Sequence, residues 1–245
     1  MIKSIMKDGA RRLGLYLASA DRLGIDIDLD LARLTIDQPV RTIFDVGGNF
    51  GQSALRFASA FPMATIFSFE PVPTSFERLI RSTRHNERIK PFNLAMGDTA
   101  GVVTMHLTDS AGSNSIVRVG SAIGAVDVSI DTVDAFASRQ ETGMIDLLKI
   151  DVEGYELQVL RGATRRLSEG RIRFVFAECV FSPNSELPHT SFFDLHRALE
   201  EAGFCFVSYY AEGFNLRLGC AQGNVLYALR STLPRSAPGR VRNIC

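Results

Sequence analysis

After residue 41 the chain alternates between short apolar runs and amphipathic segments whose apolar residues recur at helical spacing. The apolar runs with the strongest strand pattern are TIF, ATIFSF, MIDLLKI and RIRFVFAECVF. The segments with the strongest helix pattern are TSFERLIRSTRHN, YELQVLRGATRRL and SFFDLHRALEEAG. Alternation of this kind is typical of a mostly parallel sheet with helices on both faces. We therefore predict an α/β fold whose ligands bind beyond the carboxyl ends of the strands.

The two ends of the chain depart from this pattern. Residues 1–40 are predicted to form an N-terminal helical extension, although the segment IDIDLDLARLTID fits an alternating strand as well as a helix. Residues 41–230 are predicted to form the main domain. The tail 231–245 contains two prolines and little apolar periodicity, and we expect it to be disordered.

A glycine-rich turn follows the first predicted strand in the segment TIFDVGGNFGQSALRF. Such a turn allows the backbone to approach a ligand, and the helix that follows presents free N–H groups. The glycines lack the G-x-G-x-x-G spacing of a dinucleotide fold, and no Gly-Lys-Ser/Thr ending of a P-loop is present. The dehydrogenase and phosphate-binding alternatives therefore lack their specific residues. The turn residues predicted to bind a ligand are Asp45, Gly47, Gly48, Asn49 and Gly51.

An acidic residue ends the next predicted strand, about twenty residues further on, which is where dinucleotide-binding proteins place the acid that binds a ribose diol. Here that residue is Glu70, in the segment FSFEP. A ribose-binding acid combined with a loop that has no phosphate to bind suits a nucleoside that carries an amino-acid tail. S-adenosylmethionine has this structure, and we predict it as the cofactor.

Charged residues also end two later strands. Lys149 and Asp151 lie two positions apart in LLKIDVEG and so share one face of the strand, and Glu153 follows them. Glu178 ends the apolar run FVFAECV. Buried charges are costly unless they are paired, so acids at these strand ends need a reason to be there. The carboxyl ends of the strands are also where ligands bind, and we therefore predict Asp151, Glu153 and Glu178 as catalytic residues. The alternative is a structural network of the lysine and the acids.

Composition and charge exclude some classes of protein. The formal net charge of zero provides no general attraction for nucleic acid, so no nucleic-acid partner is expected. No apolar run is long enough to span a membrane. Cys179 and Cys205 lie in apolar runs and are expected to be buried thiols, which favours a cytoplasmic protein. The sequence has no His-rich or paired-cysteine ligand set, so no metal site is predicted. A divalent metal shared by the strand-end acids, which would lower the pKa of an acceptor hydroxyl, is the second-ranked alternative. The oligomeric state stays open.

Six blocks of the sequence together resemble the FkbM family of S-adenosylmethionine-dependent O-methyltransferases. They are FDVGGNFG, FSFEPVP, NLAMGD, GSNSI, IDLLKIDVEGYELQVLRGA and FVFAECV. The resemblance implies a class I methyltransferase fold: a Rossmann-like, seven-stranded, mostly parallel sheet with one antiparallel strand near the C-terminus. It also implies methyl transfer to a hydroxyl group, often on a sugar or a polyketide.

The resemblance implies roles for further residues. Asn93 and Asp98, in NLAMGD, are expected to flank the adenine of the cofactor. Asp151 is the preferred proton acceptor, and Glu153 or Glu178 is expected to orient the substrate. The predicted substrate-binding residues come from two polar loops and not from the resemblance. They are Ser113, Asn114 and Ser115 in DSAGSNSI, which are neutral donors and acceptors, and His189 in SPNSELPHTS, which is also a candidate base.

The expected acceptor is a small molecule or a glycan. The resemblance favours a sugar hydroxyl, and the narrowest expectation that it implies is the 2-hydroxyl of fucose on a lipochito-oligosaccharide nodulation factor. The alternatives are another small molecule, such as a polyketide, and a methyltransferase-like binding subunit without catalytic activity.

Overall fold

The computed structural model describes residues 22–108, 114–117, 122–181, 189–215 and 220–233. The helices are α1 Ile27–Leu34, α2 Gln52–Ala60, α3 Pro73–Thr83, α4 Val133–Arg139, α5 Glu156–Arg161, α6 Thr164–Ser168 and α7 Phe192–Glu201. The strands are β1 Thr42–Val46, β2 Thr65–Phe69, β3 Ile89–Phe92, β4 Ala95–Met96, β5 Gly101–Leu107, β6 Gly124–Asp131, β7 Ile145–Ile150, β8 Ile172–Val180, β9 Phe204–Asn215 and β10 Cys220–Leu229. A short 3-10 helix, Arg230–Thr232, follows the last strand.

Seven strands form the main sheet in the order β3-β2-β1-β7-β8-β10-β9. Neighbouring strands are parallel except for β10, which runs antiparallel to both β8 and β9. This arrangement confirms the predicted class I methyltransferase fold, including its one antiparallel strand near the C-terminus. The strand order reverses between β1 and β7, and ligands of open α/β sheets bind at such a switch point.

The central strands are buried on both faces. All six residues of β7 and all nine of β8 are buried, which explains why these strands are apolar without alternation. Adjacent residues supply opposite faces: Phe44 belongs to one hydrophobic core and Ile43 to the other. Helix α1, part of the predicted N-terminal extension, packs Ile27 and Leu31 into the second of these cores.

A second sheet of three strands, in the order β4-β6-β5, stands beside the main sheet. The segment IKPFNLAMGD, which reads as one strand, is therefore divided between two sheets. Strand β3 ends at Phe92, and the Asn93 side chain donates hydrogen bonds to the carbonyl oxygens of Glu70 (2.9 Å) and Pro71 (2.8 Å). These bonds hold the turn that redirects Ala95–Met96 to β6.

Two other segments also differ from the simplest reading of their sequence. The helix predicted for YELQVLRGATRRL consists of two short helices separated at Gly162 and Ala163. A Cβ atom on Gly162 would lie 1.9 Å from the carbonyl oxygen of Gly97, so close packing requires glycine there. The ambiguous segment IDIDLDLARLTID contains α1, because the Asp26 side chain accepts hydrogen bonds from the first backbone N–H groups of the helix.

The cysteines fit the expectation only in part. Cys179 is a buried free thiol, as expected. Cys205 is disulfide-bonded, so the expectation of a second buried thiol is wrong. Among the helices of the described ranges, none combines the length and the apolar character needed to cross a membrane.

Candidate active site

The glycine turn between β1 and α2 is built against the end of β7. Gly47 and Gly51 have φ angles of 82° and 91°, in the left-handed region, and Gly51 precedes the first residue of α2. The N–H groups of Gly47 and Gly48 both donate to the carbonyl oxygen of Phe69, at 3.1 and 2.8 Å. A Cβ atom on Gly47 would lie only 1.8 Å from the carbonyl oxygen of Asp151. Contacts within the protein therefore require glycine at this position.

Glu70 follows β2 at its carboxyl end and is only 7% exposed. Its two carboxylate oxygens accept hydrogen bonds from the backbone N–H groups of Asn49 and Val72, each at 2.9 Å. Burial raises the pKa of Glu70 to about 7, against the opposing effect of these two hydrogen bonds and of Lys149. Because a carboxylate oxygen can accept more than one hydrogen bond, the group is held in place and can still bind further donors.

Asp45 lies beneath the turn and is fully buried. Its oxygens accept hydrogen bonds from the hydroxyls of Ser53 and Ser68, each at 2.8 Å, and one of them lies 3.3 Å from Nζ of Lys149. This placement makes Asp45 a support of the turn from below, not part of the cleft wall.

Lys149 connects the turn to the end of β7. Its ammonium group donates to the carbonyl oxygen of Gly47 at 2.8 Å and lies 3.4 Å from Oδ2 of Asp151. Burial alone would lower the pKa of Lys149, but the carboxylates of Asp151 and Asp45 outweigh that effect and raise it above its usual value. The structure thus contains the lysine–acid network that is the alternative to a catalytic role, and Asp151 belongs to it.

The turn after β7 carries two of the predicted catalytic acids. The side chain of Asp151 is 42% exposed, and Glu153 has a φ angle of 54°, which is uncommon for a residue with a side chain. The carbonyl oxygen of Glu153 accepts a hydrogen bond of 2.6 Å from the hydroxyl of Ser115. This bond connects the turn to the segment predicted to contact the substrate.

The third acid, Glu178, lies near the carboxyl end of β8 and is 8% exposed. It accepts a hydrogen bond of 2.7 Å from the side-chain amide of Gln222 on β10. Burial raises the pKa of Glu178 to about 9, and the carboxylates of Asp151 and Glu153 act in the same direction. Burial also lowers the pKa of His189.

One cleft joins the cofactor-binding and acidic parts of the site. Of the predicted residues, six line it: Gly47, Asn49, Glu70, Asn114, Asp151 and Glu153. The cleft also has an apolar wall that the sequence did not indicate, made by Leu94, Ala95, Met96, Met105 and Ile116. Most of this wall comes from the second sheet and the turn leading to it, so only the division of the strand after Phe92 creates it.

The remaining predicted residues lie around the cleft. Asp45, Gly48 and Gly51 form the buried side of the glycine turn, where a Cβ on Gly48 would lie 2.2 Å from the hydroxyl of Ser68. Asn93 and Asp98 are exposed, and Ser113 lies outside the described residues.

Two residues outside the predicted site support it. The sequence indicates Lys149 only through the possible network with the acids, and no motif marks Glu156. Glu156 is fully buried and accepts hydrogen bonds from the N–H groups of Val152 and Gly154 and from the hydroxyl of Thr190. It therefore holds the acidic turn in its conformation.

Comparisons with known proteins agree with this architecture. The family model described as the methyltransferase FkbM domain matches residues 45–206. The chain is 28% identical over 159 residues to the 2-O-methyltransferase NoeI of Sinorhizobium fredii, covering 58% of this chain and 65% of that protein. It is 29% identical over 152 residues to the hexuronic acid methyltransferase AglP of Haloferax volcanii, covering 61% of each.

A further relative is the 31-O-demethyl-FK506 methyltransferase FkbM of Streptomyces tacrolimicus. It is 29% identical over 172 residues, which cover 58% of this chain and 66% of that protein. The chain thus spans slightly less than two thirds of the length of these three relatives. The family match covers well over half of the chain and includes both the glycine turn and the three strand-end acids, so the chain belongs to the FkbM methyltransferase domain family.

Proposed function

We propose that this protein transfers a methyl group from S-adenosylmethionine to a hydroxyl oxygen of a sugar. The observation that carries the proposal is the shared cleft: Glu70 lines it beside the glycine turn, and Asp151 and Glu153 line it as well. A site for a nucleoside and a set of acids that can accept a proton therefore adjoin each other.

The cofactor-binding part fits S-adenosylmethionine in its chemistry. The fixed carboxylate of Glu70 is suited to accept hydrogen bonds from a ribose diol. The apolar wall around Leu94 and Met96 is suited to the adenine ring. When bound, S-adenosylmethionine supplies a methyl group that its sulfonium already activates toward nucleophiles.

The protein then has to align the acceptor and remove its proton. Asp151 is the proposed proton acceptor, because its carboxylate lines the cleft and is partly exposed while Lys149 holds it in place at 3.4 Å. Proton transfer to a positioned side chain typically contributes about 10²–10⁴-fold to the rate. Alignment of the reacting groups supplies further acceleration, up to about 7–11 kcal/mol.

A sugar acceptor is supported by the name of one relative, a hexuronic acid methyltransferase, and the name of another, a 2-O-methyltransferase, supports transfer to an oxygen. The 2-hydroxyl of a fucose is the narrowest form of the proposal. The third relative, named for a demethylated FK506 substrate, favours a non-sugar small molecule as the second candidate. Nucleic acid is not among the proposed acceptors. A cytoplasmic location stays part of the proposal and is supported by the free thiol of Cys179, whereas the disulfide of Cys205 counts against it.

The test is an acceptor screen with methyl-labelled S-adenosylmethionine. Its acceptors are fucosylated and unmodified chito-oligosaccharides, a hexuronic acid, a macrolide alcohol, tRNA and protein. We expect label on the sugars. Label confined to the macrolide would select the second candidate, and label on tRNA or protein alone would overturn the sugar proposal. Parallel calorimetry with S-adenosylmethionine and with NAD separates a methyltransferase from a dehydrogenase. Binding of S-adenosylmethionine without label on any acceptor would support a binding subunit without catalytic activity.

A further inference from the structure

Three side chains with metal-binding groups meet at one edge of the cleft. Glu153 comes from the turn after β7, Glu178 from the end of β8, and His189 from the segment that precedes α7. One ligand atom from each, two carboxylate oxygens and one imidazole nitrogen, all lie within 4.8 Å of one another. Glu153 also lines the cleft, so this Glu–Glu–His cluster borders the place proposed for the acceptor.

The three ligand atoms are somewhat farther apart than in a formed metal site. Neighbouring ligands around a divalent cation, each about 2.1 Å from it, are about 3.0–3.4 Å apart, compared with at most 4.8 Å here. A movement of about an ångström by each side chain would therefore bring the three atoms around one ion. Two of the three side chains, Glu153 and His189, are only partly buried and have room for such an adjustment.

The charges around the cluster also favour a cation. Glu178 is almost completely buried, and within the described ranges its side-chain hydrogen bond comes from Gln222 and reaches only Oε1. Asp151 adds another carboxylate nearby. The ammonium group of Lys149 is already engaged with Asp45, Asp151 and the carbonyl oxygen of Gly47. A divalent ion would offset the repulsion among the acids at this place.

We propose that Glu153, Glu178 and His189 bind a divalent metal ion at the acceptor side of the cleft. The mixed set of two carboxylates and one imidazole suits Mn²⁺ or Zn²⁺ better than Ca²⁺, which prefers oxygen ligands alone. Three protein ligands leave positions open, as in catalytic metal sites. An open position next to the cleft is suited to an acceptor hydroxyl. That last role rests on the proposed function, whereas the binding of the ion does not.

Direct binding measurements test the proposal. The full chain is stripped with EDTA and titrated with Mn²⁺ alone, with calorimetry and electron paramagnetic resonance of free Mn²⁺ as readouts. We expect one site, and at least about tenfold weaker binding in Glu178→Gln and in His189→Ala. His85→Ala is the matched control, because His85 is exposed and its side-chain hydrogen bond is with Arg84; its Mn²⁺ affinity should equal that of the wild type.

Circular dichroism and thermal unfolding of each variant separate loss of the site from loss of the fold. Glu178→Gln keeps the volume of the buried side chain, so a folded Glu178→Gln protein with wild-type Mn²⁺ affinity would overturn the proposal. Absence of both Mn²⁺ and Zn²⁺ binding in the wild type would overturn it as well.

The acceptor screen, repeated in EDTA, keeps the two proposals apart. Full label on a sugar without metal would leave the methyltransferase proposal standing and remove the metal from catalysis. One-site Mn²⁺ binding that depends on Glu178 and His189, without label on any acceptor, would support the metal site and count against the proposed function.

Discussion

Replacing Gly47 with alanine tests whether the glycine turn is held by contacts within the protein. The new Cβ atom would lie 1.8 Å from the carbonyl oxygen of Asp151 and 2.9 Å from its carbonyl carbon. Both are backbone atoms, so no rotamer change can relieve the overlap. The turn and the end of β7 would have to move apart by more than about an ångström to reach a normal contact.

The cost has two parts that the structure separates. A non-glycine residue at a φ of 82° costs about 1–2 kcal/mol for the left-handed backbone alone. Forcing a well-packed region to make room typically costs about 1–3 kcal/mol more. We therefore expect Gly47→Ala to lower the free energy of unfolding by about 2–5 kcal/mol. For a chain of this size each kcal/mol corresponds to a decrease in Tm of about 2–4 °C.

Two other glycines provide matched controls. Gly203 has a φ of 85°, but a Cβ atom added there would have no neighbour within 4 Å, so Gly203→Ala should show only the backbone cost of about 1–2 kcal/mol. Gly143 has open space and no positive φ, and Gly143→Ala should stay within about 0.5 kcal/mol of the wild type. Urea unfolding of the three variants measures each value. A loss in Gly47→Ala no larger than that in Gly203→Ala would refute the proposed contact with the end of β7.

Three further predictions concern single acids. Glu70→Gln should weaken S-adenosylmethionine binding by about ten- to a hundredfold in calorimetry at pH 8. Only the ionised carboxylate of Glu70 accepts both ribose bonds, so the affinity of the wild type for S-adenosylmethionine should rise as the pH passes through about 7. The Glu70→Gln variant should lack this rise. Parallel pH profiles for the two proteins would refute the ribose role. Asp151→Asn should reduce turnover by about 10²–10⁴-fold with little change in cofactor affinity, and equal losses would make it a binding residue instead. Asp146→Ala removes the carboxylate that lies 2.8 Å from the guanidinium of the buried Arg173 and leaves this charge without its ion-pair partner. The substitution should cost about 3–5 kcal/mol in urea unfolding, and a loss below about 1 kcal/mol would contradict this.

The sequence by itself determined the central part of the fold and one end of the site. Strands β1, β2, β7 and β8 are mostly apolar, and such a composition is typical of strands covered on both faces. Helix α2 follows directly from the glycine turn. The position of Glu70 at the end of β2 also follows from local order, because parallel strands bring their carboxyl ends to one edge of the sheet.

Other features depended on contacts between distant residues. The run IKPFNLAMGD contains Pro91 and Asn93, which weaken a strand, but neither residue shows where the chain leaves the sheet. The side chain of Asn93 divides the run by binding the backbone of Glu70 and Pro71. That division produces the apolar wall of the cleft. Asp45 has the sequence position of a ligand-binding residue because it precedes the glycines, but strand alternation and the ion pair with Lys149 turn it into the interior.

The cluster of Glu153, Glu178 and His189 illustrates the same limit. In the sequence, His189 is a single histidine in a polar loop, and no spacing rule connects it to either acid. The parallel pairing of β7 with β8 brings the two glutamates together, and the bridge between Val180 and Ser191 returns the chain beside them. Local composition determined which segments became strands. Only the tertiary structure decided which strand ends meet, because the order of the strands in the sheet depends on packing between residues far apart in the chain.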